Sequence, residues 1–379
     1  MKDTIIPLYP SSEKVLVRSE GVYLFDSDGR RYIDFESGVW CANLGHGHHA
    51  ILNVLQQQAQ ACMHQGYRFR NHISELLSHR LLQLLDFSEG QSVFLSSGSE
   101  SVNLAITLAM HLTGRRKVLK VSNSYLSAYG HGQMSASNDN LVNLSFNNLD
   151  VLNKADFNSA AAFVFEPGGA SLDMVSFPDR EYITTAFKKA KEAGAFFIVD
   201  EVTTGFGRLG DWFGFQFYDV TPDMVAMGKA LGNGYPVSAL CVNAGVKQSL
   251  LQLPFRYAQS HQNDPLGCAI ALEVLKQLEI NDLITCSKTQ GAFFGQKFMS
   301  IQCQFPNLVK DVRGRGMMFA IEFFDVVNGE WVAEQLFDRG FVTGFKNNVL
   351  RFMPPLTIPI IEIDNLSHAI SELLQKYLS

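Results

Sequence analysis

Charge is scarce in this chain, and what there is shows no bias toward a polyanionic partner. Asp, Glu, Lys and Arg make up 18% of the 379 residues, the net charge is −6 and no basic run occurs, which argues against nucleic acid as a ligand. Apolar runs are too short for a membrane-spanning helix, and the mean hydropathy of +0.03 is that of a chain with a water-facing surface. Met1–Pro10 carries one Lys and no long apolar core, so it is not expected to be a secretory signal. The six cysteines, Cys41, Cys62, Cys241, Cys268, Cys286 and Cys303, form no Cys-x-x-Cys pair. That scatter predicts reduced thiols in a cytoplasmic protein and no disulfide framework. Repeats, low-complexity tracts and Pro/Gly linkers are missing as well. What is present is a 46% hydrophobic composition, ample for one or two domains with a large core.

The pattern of elements points to α/β. Residues 15–17, 22–25 and 31–35 read as a hairpin-rich start, with Asp28-Gly29 as a turn. Helical spacing follows at Ile51, Leu55, Ala59 and at Leu77, Leu81, Leu84. From residue 92, short strands alternate with helices: strands at 93–96, 117–121, 161–165, 195–199, 224–227 and 239–242, and helices over 99–112, from Pro178 to Gly194, and over 265–278. Strands apolar on both faces and separated by helices predict a mostly parallel central sheet. The tail, with strands at 309–312, 317–324 and 349–352 and helices at 331–337 and the end, predicts a smaller α+β domain. The expected division is residues 1–45 packing with the small domain, 46–285 as the large domain, and 286–379 as the small C-terminal domain.

Four segments carry chemistry. In Phe94-Leu95-Ser96-Ser97-Gly98-Ser99-Glu100 a strand runs straight into a helix start. Its free N–H groups make an anion site, while Ser97 and Glu100 have the spacing of a capping box; both can hold together. Phe196 to Asp200-Glu201 is a buried strand delivering acids at its C-terminal end, where ligands bind in open α/β sheets. Asp200 therefore needs a cation or a strong donor, or else serves as a cap or internal ion pair. Gly205-Phe206-Gly207-Arg208-Leu209-Gly210 matches Gly-x-Gly-x-x-Gly, but Asp211-Trp212-Phe213-Gly214 is a poor helix start and the acids precede the glycines. A structural loop is preferred to a dinucleotide site. Finally, residues 224–227 form a buried strand running into Gly228-Lys229. A desolvated Lys loses basicity and suits imine formation; a snorkelling Lys is the plain alternative. His46-Gly47-His48-His49 lacks nearby Cys or acids at ligand spacing, so a structural loop is expected there and no metal.

Taken together, Ser97-Gly98-Ser99-Glu100, Glu166-Pro167, Asp200-Glu201-Val202-Thr203-Thr204-Gly205-Phe206-Gly207-Arg208 and Gly228-Lys229-Ala230-Leu231-Gly232 resemble the class III pyridoxal-phosphate aminotransferases. The resemblance runs from Ser37 to Leu356. It implies fold type I, a homodimer with active sites at the subunit interface, and pyridoxal 5'-phosphate held by Lys229 as an imine. It further implies that Asp200 faces the ring nitrogen, that Val202 and Tyr125 lie on the two ring faces, and that Ser97, Gly98 and Ser99 hold the phosphate. Ser260 would reach the phosphate of the other subunit, Glu166 would stand behind the ring, and Thr203 would sit near the ring hydroxyl, where many members carry Gln. Trp40 is expected to line the substrate pocket.

The implied reaction moves an amino group between an amine or amino acid and a 2-oxo acid. Aminomutase, racemase or epimerase, and decarboxylase chemistries on the same scaffold are the alternatives. Two departures bear on the substrate. Tyr125-Leu126-Ser127-Ala128 lacks the Arg of ornithine-type members, and Glu166-Pro167-Gly168-Gly169-Ala170-Ser171 lacks their second Glu. Arg351 is then expected to anchor a substrate carboxylate, with an ion pair to Glu322 or Glu166 as the structural alternative. The Asn of an Asn-Pro-Leu motif is Asp264 here.

Overall fold

The computed structural model describes residues 4–6, 8, 14–133, 138–172 and 174–378; part of Met1–Pro10 therefore lies outside the described residues. The chain starts with a meander, β1 Leu16–Glu20, β2 Tyr23–Asp26 and β3 Arg31–Asp34. Gly29 turns between β2 and β3 at φ +80°, a backbone that glycine adopts without steric cost.

The central sheet has seven strands: β4 Gln91–Leu95, β5 Lys117–Val121, β6 Leu141–Leu144, β7 Ala160–Phe165, β8 Phe196–Asp200, β9 Met224–Met227 and β10 Ser238–Val242, in the order β4-β10-β9-β8-β7-β5-β6. β10 runs antiparallel to both β9 and β4, and the rest are mutually parallel. Its reversal follows from its connection. Only ten residues, with one 3-10 turn over Lys229–Gly232, join β9 to β10, too few for a right-handed helical crossover. β7 and β9 are buried along their whole length, as a strand covered on both faces must be. The fold class expected from the sequence is the one observed.

The third sheet, β11 Val309–Arg315, β12 Met318–Phe323, β14 Gly344–Lys346 and β15 Val349–Phe352, is antiparallel. Between them β13, Phe341–Val342, adds in parallel to β3, so the two ends of the chain share one sheet. Arg208, fully buried, fastens this junction to the glycine loop. It donates to Met317 O, Pro354 O, Ser37 Oγ and Asn43 Oδ1 at 2.5–3.2 Å. The Gly205–Gly210 segment thus serves as a structural loop, followed only by a short 3-10 helix over Gly214–Tyr218.

Candidate active site

Because β4, β5, β7, β8 and β9 are parallel, their C-terminal ends lie along one edge of the sheet. From that edge emerge Ser97-Gly98-Ser99 after β4, Tyr125 after β5, Glu166 after β7, Asp200 at the end of β8 and Lys229 after β9. The topology alone therefore brings together residues spread over more than 130 positions, at the place where open α/β sheets bind ligands.

Ser97 caps the helix Gly98–Thr113. Its hydroxyl accepts from Glu100 N at 3.2 Å, and Glu100 Oε2 accepts from Ser97 N at 3.1 Å and Ser96 N at 2.8 Å. The capping box is real, and it settles the start of that helix without consuming the N–H groups of Gly98 and Ser99. A Cβ on Gly98 would stand 2.6 Å from Val202 Cγ1, so glycine is required there for packing against Val202. Ser99 Oγ accepts from Ala128 N at 3.0 Å.

Asp200 ends β8 and Glu201 is the next residue, and the two side chains find different surroundings. Glu201 turns into structure. It accepts from Thr204 Oγ1 at 2.6 Å, Gly214 N at 3.0 Å and Phe215 N at 2.7 Å, and holds the loop closed. Asp200 accepts from Val202 N at 2.9 Å. Burial pushes its carboxyl up to about 7, against hydrogen bonding from Val202 and the charge of Lys229. Glu166, equally buried, is pushed up to about 8 by burial and by Asp200. Burial lowers the Lys229 amine, while Glu166 and Asp200 pull it back up. Two acids and one amine thus share a dry volume, which is where a proton is held loosely and passed readily.

Around this trio polar atoms are left over. Glu166 Oε2, Thr203 Oγ1 and Asn123 Oδ1 are buried without a hydrogen-bond partner. Such atoms cost free energy unless something else pairs with them, so they are open to pairing with a polar ligand. Tyr125 is 42% exposed, and hydrogen bonding from its backbone favours the Glu166 carboxylate. Ser260 is exposed. Its loop is zipped to β4 through Asn263, whose N donates to Phe94 O and whose Oδ1 accepts from Phe94 N, both at 2.9 Å.

The substrate side departs from expectation at one point. Arg351 pairs with neither Glu322 nor Glu166. Glu322 is taken by Lys310 at 2.6 Å and Arg313 at 2.8 Å. The partner is Glu36, which receives Nε at 3.1 Å and Nη2 at 2.7 Å, while Nη1 donates to Ala170 O at 2.7 Å. Glu36 also accepts from Trp40 Nε1 at 3.1 Å. The indole carries the Arg351 guanidinium and the Lys229 amine, each 4.3 Å from its ring centroid, so Trp40 packs between these two cations.

Trp40 arrives there through a left-handed turn, Ser37 to Trp40 at φ +42° to +68°, a conformation that disfavours Val39 in particular. Asp34 holds the turn by accepting from Glu36 N and Gly38 N at 2.8 Å, and His46 Nε2 pairs with Asp34 at 2.8 Å. His46 is therefore a support for this turn.

The profile of the family described as aminotransferase class-III matches residues 9–146 and 128–374. The chain belongs to this family. It is a pyridoxal-phosphate-dependent transaminase, and the orphaned buried atoms and the Asp200–Glu166–Lys229 trio fit that cofactor. An acetylornithine aminotransferase of Methanosarcina acetivorans is 28% identical over 95% of this chain and 91% of its own length. A [LysW]-aminoadipate semialdehyde/glutamate semialdehyde transaminase of Sulfurisphaera tokodaii is 27% identical over 96% and 95%. Among solved structures, an ornithine delta-aminotransferase of Plasmodium falciparum superposes with a TM-score of 0.86 at 27% identity, covering 98% of this chain and 95% of that one. A transaminase from a marine Virgibacillus shares the fold, with a TM-score of 0.90 at 22% identity over 99% and 97% of the two chains.

Proposed function

We propose that Lys229 is the residue that carries pyridoxal phosphate and moves the proton of the reaction, and that the preferred donor is an amine without a carboxylate on its reacting carbon. The observation that carries this reading is the Glu36–Arg351 pair. With its fork filled by Glu36 and its face covered by Trp40, Arg351 offers no free charge to a donor carboxylate. The wall facing Lys229 is aromatic and neutral as a unit. Any carboxylate on the reacting carbon, that of a 2-oxo acid acceptor included, has to compete with Glu36 for the same fork, which it matches in two hydrogen bonds, whereas a simple amine meets no such competition.

When bound, pyridoxal phosphate supplies an electron sink for the charge left as a proton departs from the substrate carbon. The chain's own groups do the rest. Asp200 would hold a proton on the ring nitrogen, and burial keeps water from competing for it. Ser97, Gly98 and Ser99 would bind the phosphate at the helix N-terminus. Val202 and Tyr125 would bracket the ring, with Thr203 and Glu166 pairing their spare oxygens along its edge. Lys229, desolvated and so weakly basic, would take and return the substrate proton.

The assembly belongs to the same reading. Leu52, Leu55, Met63, Tyr67, Phe69 and Leu76 are exposed apolar side chains on and after the helix His49–Cys62, a surface suited to a second copy. Ser260, also exposed, would then serve the partner's phosphate. A cytoplasmic location accords with six free cysteines and with the finding that no helix among the described residues is long and apolar enough to cross a membrane.

A donor panel tests the proposal. Holoenzyme is mixed with simple primary amines, ω-amino acids and α-amino acids, and the cofactor absorbance change is followed in single turnover. Simple amines should react fastest. A strong preference for α-amino acids would overturn it.

A further inference from the structure

We propose that His64, His261 and Asp264 form a binding site for a divalent transition-metal ion, with Zn2+ the best match. Their ligand atoms lie within 4.8 Å of one another. His64 follows the helix His49–Cys62, while His261 and Asp264 precede and cap the helix Pro265–Ile280. Asp264 occupies the N-cap position yet makes no side-chain cap bond. Its two oxygens each meet the Nδ1 of one imidazole at 2.8 Å. The two rings stand 4.6 Å apart.

One carboxylate facing two imidazole nitrogens is a donor set of two N and one O. It suits zinc and its neighbours and suits calcium or magnesium poorly. Bonds of about 2.0–2.1 Å at tetrahedral angles separate ligand atoms by roughly 3.4 Å. The two N···O spacings of 2.8 Å are shorter than that value, and the exposed His64 and His261 side chains can move apart to reach it. Each ring must carry its proton on Nε2 to offer Nδ1 to the ion, so the ion would take the place of the two hydrogen bonds to Asp264. A fourth position remains for water.

The backbone beneath is fixed. Asn263 is bonded twice to Phe94 and also accepts at its carbonyl from Asn71 Nδ2 at 2.9 Å. Such support is what a usable site requires. A cavity of about 160 Å³, lined by Ser96, Tyr235, His261 and Asp264 among others, opens beside it and gives an ion access. In the resembled Asn-Pro-Leu motif a neutral Asn stands at position 264, so the Asp here adds the anionic ligand. The site is independent of the donor preference argued above.

The test uses cofactor-loaded protein, freed of metal with a chelator and titrated with Zn2+ by calorimetry. One ion per chain should bind. Asp264→Asn, which leaves the helix start intact, and His261→Phe should each weaken binding about tenfold or more, while Cys303→Ser, which removes an exposed thiol, should not change it. Co2+ substitution should give ligand-field bands without thiolate charge transfer. Failure to take up a stoichiometric ion, uptake undiminished in both site variants, or a thiolate band would overturn the site.

Discussion

Glu36 and Arg351 lie 315 positions apart in sequence and share two hydrogen bonds, Nε to Oε1 and Nη2 to Oε2, with both side chains nearly out of water. The pair decides what Arg351 has to offer. If an acceptor's carboxylate must displace Glu36, then Glu36→Gln, which keeps the shape and removes the charge, should lower the KM for 2-oxo acids by about three- to tenfold, as loss of one competing charged hydrogen bond allows. Single-turnover rates with a simple amine should change little. Arg351→Ala should raise the same KM strongly and also cost stability, since it leaves Glu36 buried without its cation. An unchanged KM in Glu36→Gln would make the pair purely structural.

The charge of Lys229 acts on both buried acids, Asp200 and Glu166. Borohydride reduction of the holoenzyme, followed by peptide mapping, should place the cofactor on Lys229 and nowhere else. Lys229→Ala should lose that fixation and slow turnover on the order of 10³-fold or more, the scale of general acid–base catalysis. An adduct on another Lys would remove the assignment.

Asp200 makes a pH prediction. Its folded value, about 7, lies above the ordinary carboxylate range because burial disfavours the charge. The stability it contributes when protonated is therefore complete below about pH 4 and lost as pH rises through 7, in the cofactor-free protein. Between about pH 5 and 8, cofactor-free wild type should lose on the order of 2 kcal/mol relative to Asp200→Asn, by urea unfolding. Pyridoxal phosphate should abolish the difference, because the protonated ring nitrogen favours the carboxylate. Parallel pH profiles in the cofactor-free proteins would refute this.

The sheet was legible because its strands are short, apolar and cut off by helices, and the candidate site because polar and charged residues stand at or just after the ends of five of those strands. What escaped had a physical reason. The helix Leu283–Gln304 carries Gly291 and Gly295, which dilute its apolar stripe. Gly291 is needed where Gly316 O would lie 2.0 Å from a Cβ. The strand Leu141–Leu144 is an edge strand with only Leu144 buried. The Glu36–Arg351 pair is a long-range contact, and no local pattern announces it. An acid between Phe35 and Ser37, just ahead of Trp40, was the one available sign.

Assembly is testable directly. Sedimentation of the holoenzyme at low micromolar concentration should show a dimer, and Ser260→Ala should weaken cofactor retention by removing a phosphate contact across the interface. Charge introduced at Leu55→Glu or Phe69→Glu should shift the protein toward monomer and reduce activity together. A fully active monomer would contradict the shared site.

Gly98 offers the sharpest separation of packing from ligand binding. A Cβ there would lie 2.6 and 2.7 Å from the two γ-methyl groups of Val202, whose branched side chain cannot swing aside freely. Gly228 presses from another side, since its own Cβ would sit 3.2 Å from Gly98 Cα. Gly98→Ala should therefore destabilise the protein by about 1–3 kcal/mol through overpacking. It should also disturb Asp200, because Val202 N is the donor to Asp200 Oδ1. Val202→Ala removes the γ-methyl groups and should restore much of the stability when combined with Gly98→Ala, giving a coupling well beyond the roughly 0.5 kcal/mol scatter of independent sites. Cofactor affinity separates the two demands on this glycine. If Val202 alone requires it, the double variant should bind pyridoxal phosphate nearly as Val202→Ala does. If the phosphate also needs the bare backbone, stability should return while affinity stays low. Simple additivity of the two substitutions in urea unfolding would refute the packing account.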